Sequence, residues 1–220
     1  MISVLLHLLF PPKCHFCQKV LDLHETDLCH NCRKEAPEFT RPKRNFQLIA
    51  QWTAVWYYRG NVPNSIHRFK FYNARNYANF FGKALAARLQ DACLDQCFDV
   101  LTWVPTSYRR QLNRGYDQSK LLAQAVGKEL GIKPVRGLKK LRHTRPQSGI
   151  HDSAERRANV FNAYVGVNKT KFAGKRVLLV DDVVTTGSTA SECAKMILAN
   201  GATHVYLATI AAASNDKTRR

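Results

Sequence analysis

The stretch Arg176-Val177-Leu178-Leu179-Val180-Asp181-Asp182-Val183-Val184-Thr185-Thr186-Gly187-Ser188-Thr189 constrains the fold more than any other part of the chain. A continuous apolar run of this kind, with no polar alternation, suits a strand buried on both faces of a parallel sheet. Two carboxylates sit where the predicted strand, Arg176–Val180, ends. Ligands of open α/β sheets bind at that carboxyl edge. Small hydroxyl residues and a glycine then lead into a predicted helix over 188–200, with Gly201 as its stop. Backbone N–H groups, hydroxyls and the positive end of that helix suit a phosphate, while the carboxylates suit vicinal hydroxyls. The combination points to a phosphorylated sugar. A Walker B segment would need a Gly-rich loop ending in Gly-Lys-Ser/Thr, and the chain has none. A receiver-type acidic pair leaves Thr185–Thr189 unexplained.

The rest of the larger region alternates strands and helices. Ala54–Tyr58 is β-rich and closed by Arg59-Gly60-Asn61. Helical spacing follows over 62–71 and 76–92, and Phe98–Val104 reads as a strand stopped by Pro105. A helix is predicted over 117–130 with Gly131 just beyond it. Residues 142–158 are basic and show no clear period. Phe161–Val167 and His204–Ala211 read as strands. The expected architecture is α/β, a mostly parallel sheet flanked by helices.

The N-terminal region is different. Cys14-x-x-Cys17 and Cys29-x-x-Cys32 are separated by an eleven-residue stretch, the spacing of two knuckles that share one tetrahedral zinc ion. A closed four-cysteine site has no position for water, so the Zn²⁺ is expected to be structural. His15, His24 and His30 could substitute for a ligand, but read first as surface residues beside the knuckles. Cys93, Cys97 and Cys193 lack partners at metal spacing and read as buried small hydrophobes. The expected organisation is an apolar segment and zinc module over 1–36, a linker over 37–47, the α/β domain over 48–213 and a frayed tail over 214–220. The apolar start, Ile2–Phe10, is read as a short helix packing on the large domain. It is too short to span a bilayer and lacks the pattern of an export signal, so the expectation is a cytoplasmic protein with no transmembrane segment.

Lys and Arg total 34 against 16 acidic residues, a formal net charge of +18. Most of the excess lies between Arg59 and Arg176, which favours an anionic partner, nucleic acid first. Arg109, Arg110 and Arg114 form one cluster, and Lys139, Lys140, Arg142 and Arg145 a second. Cations beside aromatics could bind single-stranded nucleic acid by phosphate neutralisation and base stacking. Trp56 and Tyr58 read as core strand residues. Phe69-Lys70-Phe71-Tyr72 with Arg75 reads as a candidate surface. The DNA-binding candidates are thus Lys70, Arg75, Arg110, Arg114, Lys139 and Lys140.

Val177–Thr189 resembles the phosphoribosyl pyrophosphate (PRPP) motif of type I phosphoribosyltransferases. Several further segments, in order, resemble the ComF family. They are Pro11-Pro12-Lys13-Cys14 with its two CxxC pairs, Val104-Pro105, Arg109-Arg110, Arg114-Gly115-Tyr116-Asp117-Gln118, Thr144-Arg145-Pro146-Gln147 and Arg156-Arg157-x-Asn159-Val160-Phe161. Tyr116-Asp117-Gln118 departs from the more usual Phe-Asn-Gln. The resemblance implies a type I phosphoribosyltransferase-like fold and a link to DNA uptake in natural transformation, with some relatives linked to gluconate use. It implies that Asp181 and Asp182 bind the ribose hydroxyls and that Thr185, Thr186, Gly187, Ser188 and Thr189 hold the 5-phosphate. Thr106, Ser107, Tyr108 and Arg109 match a pyrophosphate loop by position. Arg142, Arg145, Arg156 and Arg157 match a mobile basic hood; His143 and His151 are general-base candidates only because they lie in it, and they read more simply as surface histidines of a flexible loop. Mg²⁺ would accompany PRPP. Two functions are implied: handling of single-stranded DNA alongside other DNA-uptake proteins, or phosphoribosyl transfer to a small acceptor such as a nucleobase.

Overall fold

A computed structural model describes residues 11–42, 44–71, 76–141 and 153–213. The first helix among them, α1 (His30–Lys34), follows directly from the second CxxC knuckle. Then come β1 (Gln51–Tyr57), α2 (Val62–Phe71), α3 (Tyr77–Asp91), β2 (Val100–Trp103), α4 (Tyr108–Arg114) and α5 (Gln118–Leu130). The chain continues through β3 (Leu138–Lys140), α6 (Ser153–Val160), β4 (Tyr164–Gly166), α7 (Lys169–Phe172), β5 (Arg176–Val184), α8 (Ser188–Ala199) and β6 (His204–Ala212). No helix among the described residues is long and apolar enough to cross a membrane.

Four strands form a parallel sheet in the order β1-β6-β5-β2, and β3 pairs antiparallel with β4. The central strand β5 alternates between two cores. Leu178 and Val180 face a cluster containing Phe81, Leu85, Leu122 and Val126 from α3 and α5. Val177 and Leu179 face a second cluster with Cys193, Ala194 and Ile197 of α8 and Phe172 of α7. Burial on both faces is why the run carries no polar alternation.

The strand extends further than its apolar run suggests. β5 continues through Asp181 and Asp182 to Val184, because β6 keeps pairing with it as far as Val184↔Ala212. Its other neighbour stops sooner, with the last pair at Trp103↔Val180. Past Val180 one side of β5 is therefore open, and the turn after β2 lies there.

Within the segment 37–47, expected as a linker, residues 37–39 pair with the sheet edge. Phe39 N donates to Val55 O at 3.0 Å, Tyr57 N donates to Pro37 O at 2.7 Å, and Glu38 bridges to Trp56. Phe39 and Phe46 are buried. This segment covers the free edge of β1, which would otherwise present unpaired backbone groups.

Other expectations need correction. Cys193 is buried, but Cys93 is exposed and Cys97 only partly covered. Both lie at or beyond the end of α3, where the backbone turns outward and Cys93 adopts φ 53°. Trp56 is buried, whereas Tyr58, one residue past β1, is exposed. The strand expected over Phe161–Val167 is confined to Tyr164–Gly166, and part of the region without clear period is the helix α6. The segment Ile2–Phe10 and the tail 214–220 lie outside the described residues.

Helices α3 and α5 cross at Gly82, where an added Cβ would come within 2.3 Å of Ala125 Cβ and 3.0 Å of its carbonyl carbon. A backbone atom cannot step aside as a flexible side chain can. Gly82→Ala is therefore expected to lose about 1–2 kcal/mol of stability, overpacking outweighing the gain in helix propensity. Adding Ala125→Gly should recover part of the loss, read by denaturant unfolding.

Candidate functional site

In the N-terminal module the four sulfurs of Cys14, Cys17, Cys29 and Cys32 all lie within 4.8 Å of one another. Cys17 Sγ and Cys29 Sγ are 3.7 Å apart. Thiolates placed tetrahedrally at about 2.3 Å from zinc stand about 3.8 Å apart, so the set fits the ion. Burial opposes ionisation of Cys14, but backbone amides of Cys17, Cys29 and Phe16 outweigh it and bring the thiol down to about 7. Burial and crowding by the other sulfurs push Cys32 upward. Four thiolates need a cation at their centre to coexist, and Zn²⁺ supplies it. The closed ligand set makes this a structural site.

The module shares a core with the sheet. Phe16 packs edge-on against Trp56 at 5.2 Å and Phe80 at 6.0 Å between centroids. The ring of His15 is not a free surface group: it stacks on Phe80 at 4.5 Å and meets Tyr77 edge-on at 4.7 Å. His24 and His30 are exposed.

The second site is built at the carboxyl edge of the sheet. Asp181 and Asp182 are neighbours on β5, so their side chains point to opposite faces of the strand. Asp182 Oδ2 receives Lys70 Nζ at 2.8 Å and Gln118 Nε2 at 3.3 Å. Asp181 Oδ1 accepts from Ser119 Oγ at 3.2 Å and from the amide of Asp182 at 2.8 Å. Burial, and then the adjacent Asp182 charge, push Asp181 up to about 8.

The segment Arg114–Ser119 assembles this edge. Gly115 takes the left-handed conformation, φ 73°, that ends α4. Tyr116 is buried, and its hydroxyl donates to Phe69 O. Asp117 caps α5 by accepting from Lys120 N, and its other oxygen accepts from Thr106 N and Gln111 Nε2, each at 3.2 Å. Arg114 donates to Gln118 Oε1 at 2.7 Å, so Gln118 links Arg114 to Asp182. Asp117, Gln118 and Ser119 thus tie the turn after β2 to the acidic pair.

That turn, Thr106 to Arg109, carries a buried Thr106 Oγ1 with no hydrogen-bond partner among the described residues. Ser107 is buried, and Tyr108 and Arg109 are exposed. After β5, Thr185–Gly187 turns into α8, with Thr186 Oγ1 and Ser188 Oγ 2.8 Å apart. Gly187 has φ 79°, and a Cβ there would lie 2.2 Å from the Phe46 ring. Arg44 donates to Thr185 O, and its guanidinium stacks over Phe46 at 5.1 Å. The supposed linker therefore supports the turn from behind.

The basic candidates separate. Lys70 is 23% exposed and is committed to Asp182. Arg114 lies over Phe71 at 4.6 Å, and its charge, like that of Arg110, is felt by Asp182. Lys140 donates to Tyr164 Oη at 3.0 Å, whereas Lys139 is exposed. Arg156 and Arg157 belong to α6. Arg75, Arg142, His143, Arg145 and His151 lie outside the described residues. The sequence reading missed Lys70, Gln118, Ser119 and Arg44 as neighbours of the site. The motif Arg114–Gln118 was the available signal for Gln118 and Ser119, being polar and glycine-broken just before a helix.

Residues 116–220 match the phosphoribosyl transferase domain, and residues 5–43 match the double zinc ribbon domain. Competence protein F of Haemophilus influenzae is 31% identical over 191 residues, covering 84% of this chain and 78% of that one. The chain belongs to the ComF family. DNA utilization protein YhgH of Escherichia coli O157:H7 is 30% identical, covering 88% of this chain and 87% of its own length. Competence protein ComFC of Bacillus subtilis is 24% identical, covering 86% and 72% respectively. Among solved structures, the allosteric regulatory enzyme of purine biosynthesis aligns at a TM-score of 0.43 with 26% identity. The glutamine PRPP amidotransferase of Bacillus subtilis gives 0.43 and 27%. Each alignment covers 62% of this ComF-family chain and about a quarter, 26%, of the other. The acidic pair falls inside the phosphoribosyl transferase match and the cysteines inside the zinc ribbon match, while Lys70 lies between the two.

Because Asp181 is raised in the folded state, folding binds its proton more tightly than the unfolded chain does. The stability this contributes is present at about pH 4 and is lost as pH rises towards 8. Asp181→Asn should therefore be more stable than the parent above pH 8, by an amount on the order of 2 kcal/mol, and nearly equal at pH 4, read by thermal unfolding across pH. Gly187→Ala combines a left-handed backbone with a clash against Phe46 and is expected to cost about 2 kcal/mol. Adding Phe46→Ala should relieve the clash and leave the backbone strain, read by denaturant unfolding.

Proposed function

We propose that this ComF-family protein serves DNA uptake in competence, binding PRPP at the 181–189 site and handling single-stranded DNA on its basic surface. The observation that carries the reading is the acidic pair on β5 continuing directly into a hydroxyl-rich turn at the head of α8. In this reading Asp181 and Asp182 receive the ribose hydroxyls, and Thr185–Thr189 hold the 5-phosphate with backbone amides and hydroxyls. Thr106–Arg109 receive the pyrophosphate. The same reading assigns the charge of the pyrophosphate to the cations Arg142, Arg145, Arg156 and Arg157.

Mg²⁺ would neutralise pyrophosphate charge. Asp182 is already paired with Lys70, so the ion would be held mainly by ligand oxygens and water, as this cation prefers. The names of the relatives, competence protein F and DNA utilization protein, support the DNA role. So does the net charge of +18, although two of the basic candidates, Lys70 and Arg114, are engaged beside Asp182. Of the described candidates, Lys139 is exposed.

The test is a pair of titrations on the full chain. PRPP with Mg²⁺ is expected to bind, and Asp181→Asn/Asp182→Asn to abolish that binding. A labelled single-stranded oligonucleotide should bind with an affinity that falls steeply between two salt concentrations, because phosphate contacts release counterions. PRPP binding without oligonucleotide binding would overturn the DNA half. PRPP consumption with a nucleobase and no DNA would assign the chain to small-acceptor transfer.

A further inference from the structure

The last turn of α2 touches both sites at once. Ser65 Oγ donates to His15 O at 2.8 Å. Arg68 Nη2 donates to the carbonyls of His15, at 3.2 Å, and Phe16. Its Nε donates to Tyr77 Oη at 3.1 Å, which also accepts from Gln18 Nε2 at 2.8 Å. His15 and Phe16 are the two residues inside the first CxxC knuckle. Two positions beyond Arg68, Lys70 Nζ reaches Asp182 Oδ2 at 2.8 Å. Between them, Phe69 is fully buried, and its carbonyl accepts from the Tyr116 hydroxyl.

A helical turn is stiff, so residues two apart cannot move independently. The knuckle's backbone is held by amide-to-sulfur bonds onto Cys14 and by the metal. Arg68 is held by that backbone, and the helical backbone from which Lys70 projects is fixed with it. Lys70 is in turn the cation that pairs with Asp182 and orients it, since a buried carboxylate deprived of its partner is strongly disfavoured.

We propose that the zinc knuckle acts through α2 as a positioning element of the sugar-phosphate site, with Arg68 as its contact and Lys70 as the positioning residue for Asp182. The inference rests on Asp181–Asp182 being the ligand's sugar site. It gives the metal a task at the carboxyl edge of the sheet, which none of its ligands touches directly.

The experiment compares Arg68→Ala, Lys70→Met, Lys70→Arg and the Arg68→Ala/Lys70→Met double variant in the full zinc-loaded chain. Lys70→Met is expected to weaken PRPP binding about tenfold, and Lys70→Arg to restore most of it. Arg68→Ala should weaken binding several-fold while zinc content stays at one ion per chain. The double variant should bind no more weakly than Lys70→Met alone, because both changes act through one ion pair. Additive losses would overturn the proposal. A ligand-free reading accompanies this: the side-chain carboxyl carbon signal of Asp182 by NMR. It should shift in the same direction in Arg68→Ala, in Lys70→Met and after chelation of zinc. An Asp182 signal unmoved by Arg68→Ala would overturn the coupling. If the parent chain fails to bind PRPP, the ligand assignment fails, and the Asp182 signal still decides the coupling.

Discussion

Two carboxylates in sequence at the end of an apolar strand are an electrostatic problem before they are a binding site. An unpaired buried charge costs several kcal/mol, and two adjacent ones also repel. The molecule resolves this asymmetrically. Asp182 is given a cation and an amide donor, Lys70 and Gln118. Asp181 is given a hydroxyl and a backbone amide but, among the described residues, no cation in contact, and its proton is held up to about 8. Supplying those partners dictates much else. Lys70 requires α2 to end at this edge. Gln118 and Ser119 require α5 to begin there, and its cap, Asp117, takes the turn after β2 with it.

The parts of this arrangement legible in sequence are the local ones. The apolar run of β5, the hydroxyl turn and the paired CxxC knuckles each lie within a short window, where period and spacing report geometry directly. Gly131 and Gly201 marked helix ends for the same reason. What was not legible is the contact made across distance. Gln118 meets Asp182 over 64 positions, and Arg44 meets Thr185 over 141. No local pattern distinguishes such a lysine or arginine from one that faces water. Lys70 sits beside exposed Phe71 in a stretch that reads as a basic aromatic surface, yet one helical position turns it inward to a carboxylate. The end of β5 was misjudged for a related reason: strand length is set by how long β6 keeps pairing, not by where apolarity stops.

The same distinction explains the segment over 37–47. Prolines and charges in sequence suggest an independent tether. In the fold it closes an open sheet edge and wedges Phe46 beneath a glycine that has no Cβ to resist it. The zinc module is likewise not a bead on a string, since Phe16, Leu28 and three of the cysteines belong to the same apolar cluster as Leu101, Leu178 and Ile210. The metal organises a piece of the shared core. That is why its loss cannot be a purely local event.

Charge and site act on different length scales. A net charge of +18 raises the local concentration of any polyanion and speeds its arrival, without regard to whether it is a nucleic acid or a sugar pyrophosphate. Discrimination must come from short-range geometry, where the field is no longer averaged. At the carboxyl edge that geometry is acidic at the centre and cationic around it: Asp181 and Asp182 are flanked by Lys70, Arg114 and Arg110. A bare phosphodiester chain gains nothing from an acidic centre. A sugar with free vicinal hydroxyls and phosphates on either side gains from both parts. On the proposed reading, the acidic pair therefore suits a small phosphosugar at this edge of the sheet, and nucleic acid is assigned to exposed cations outside it.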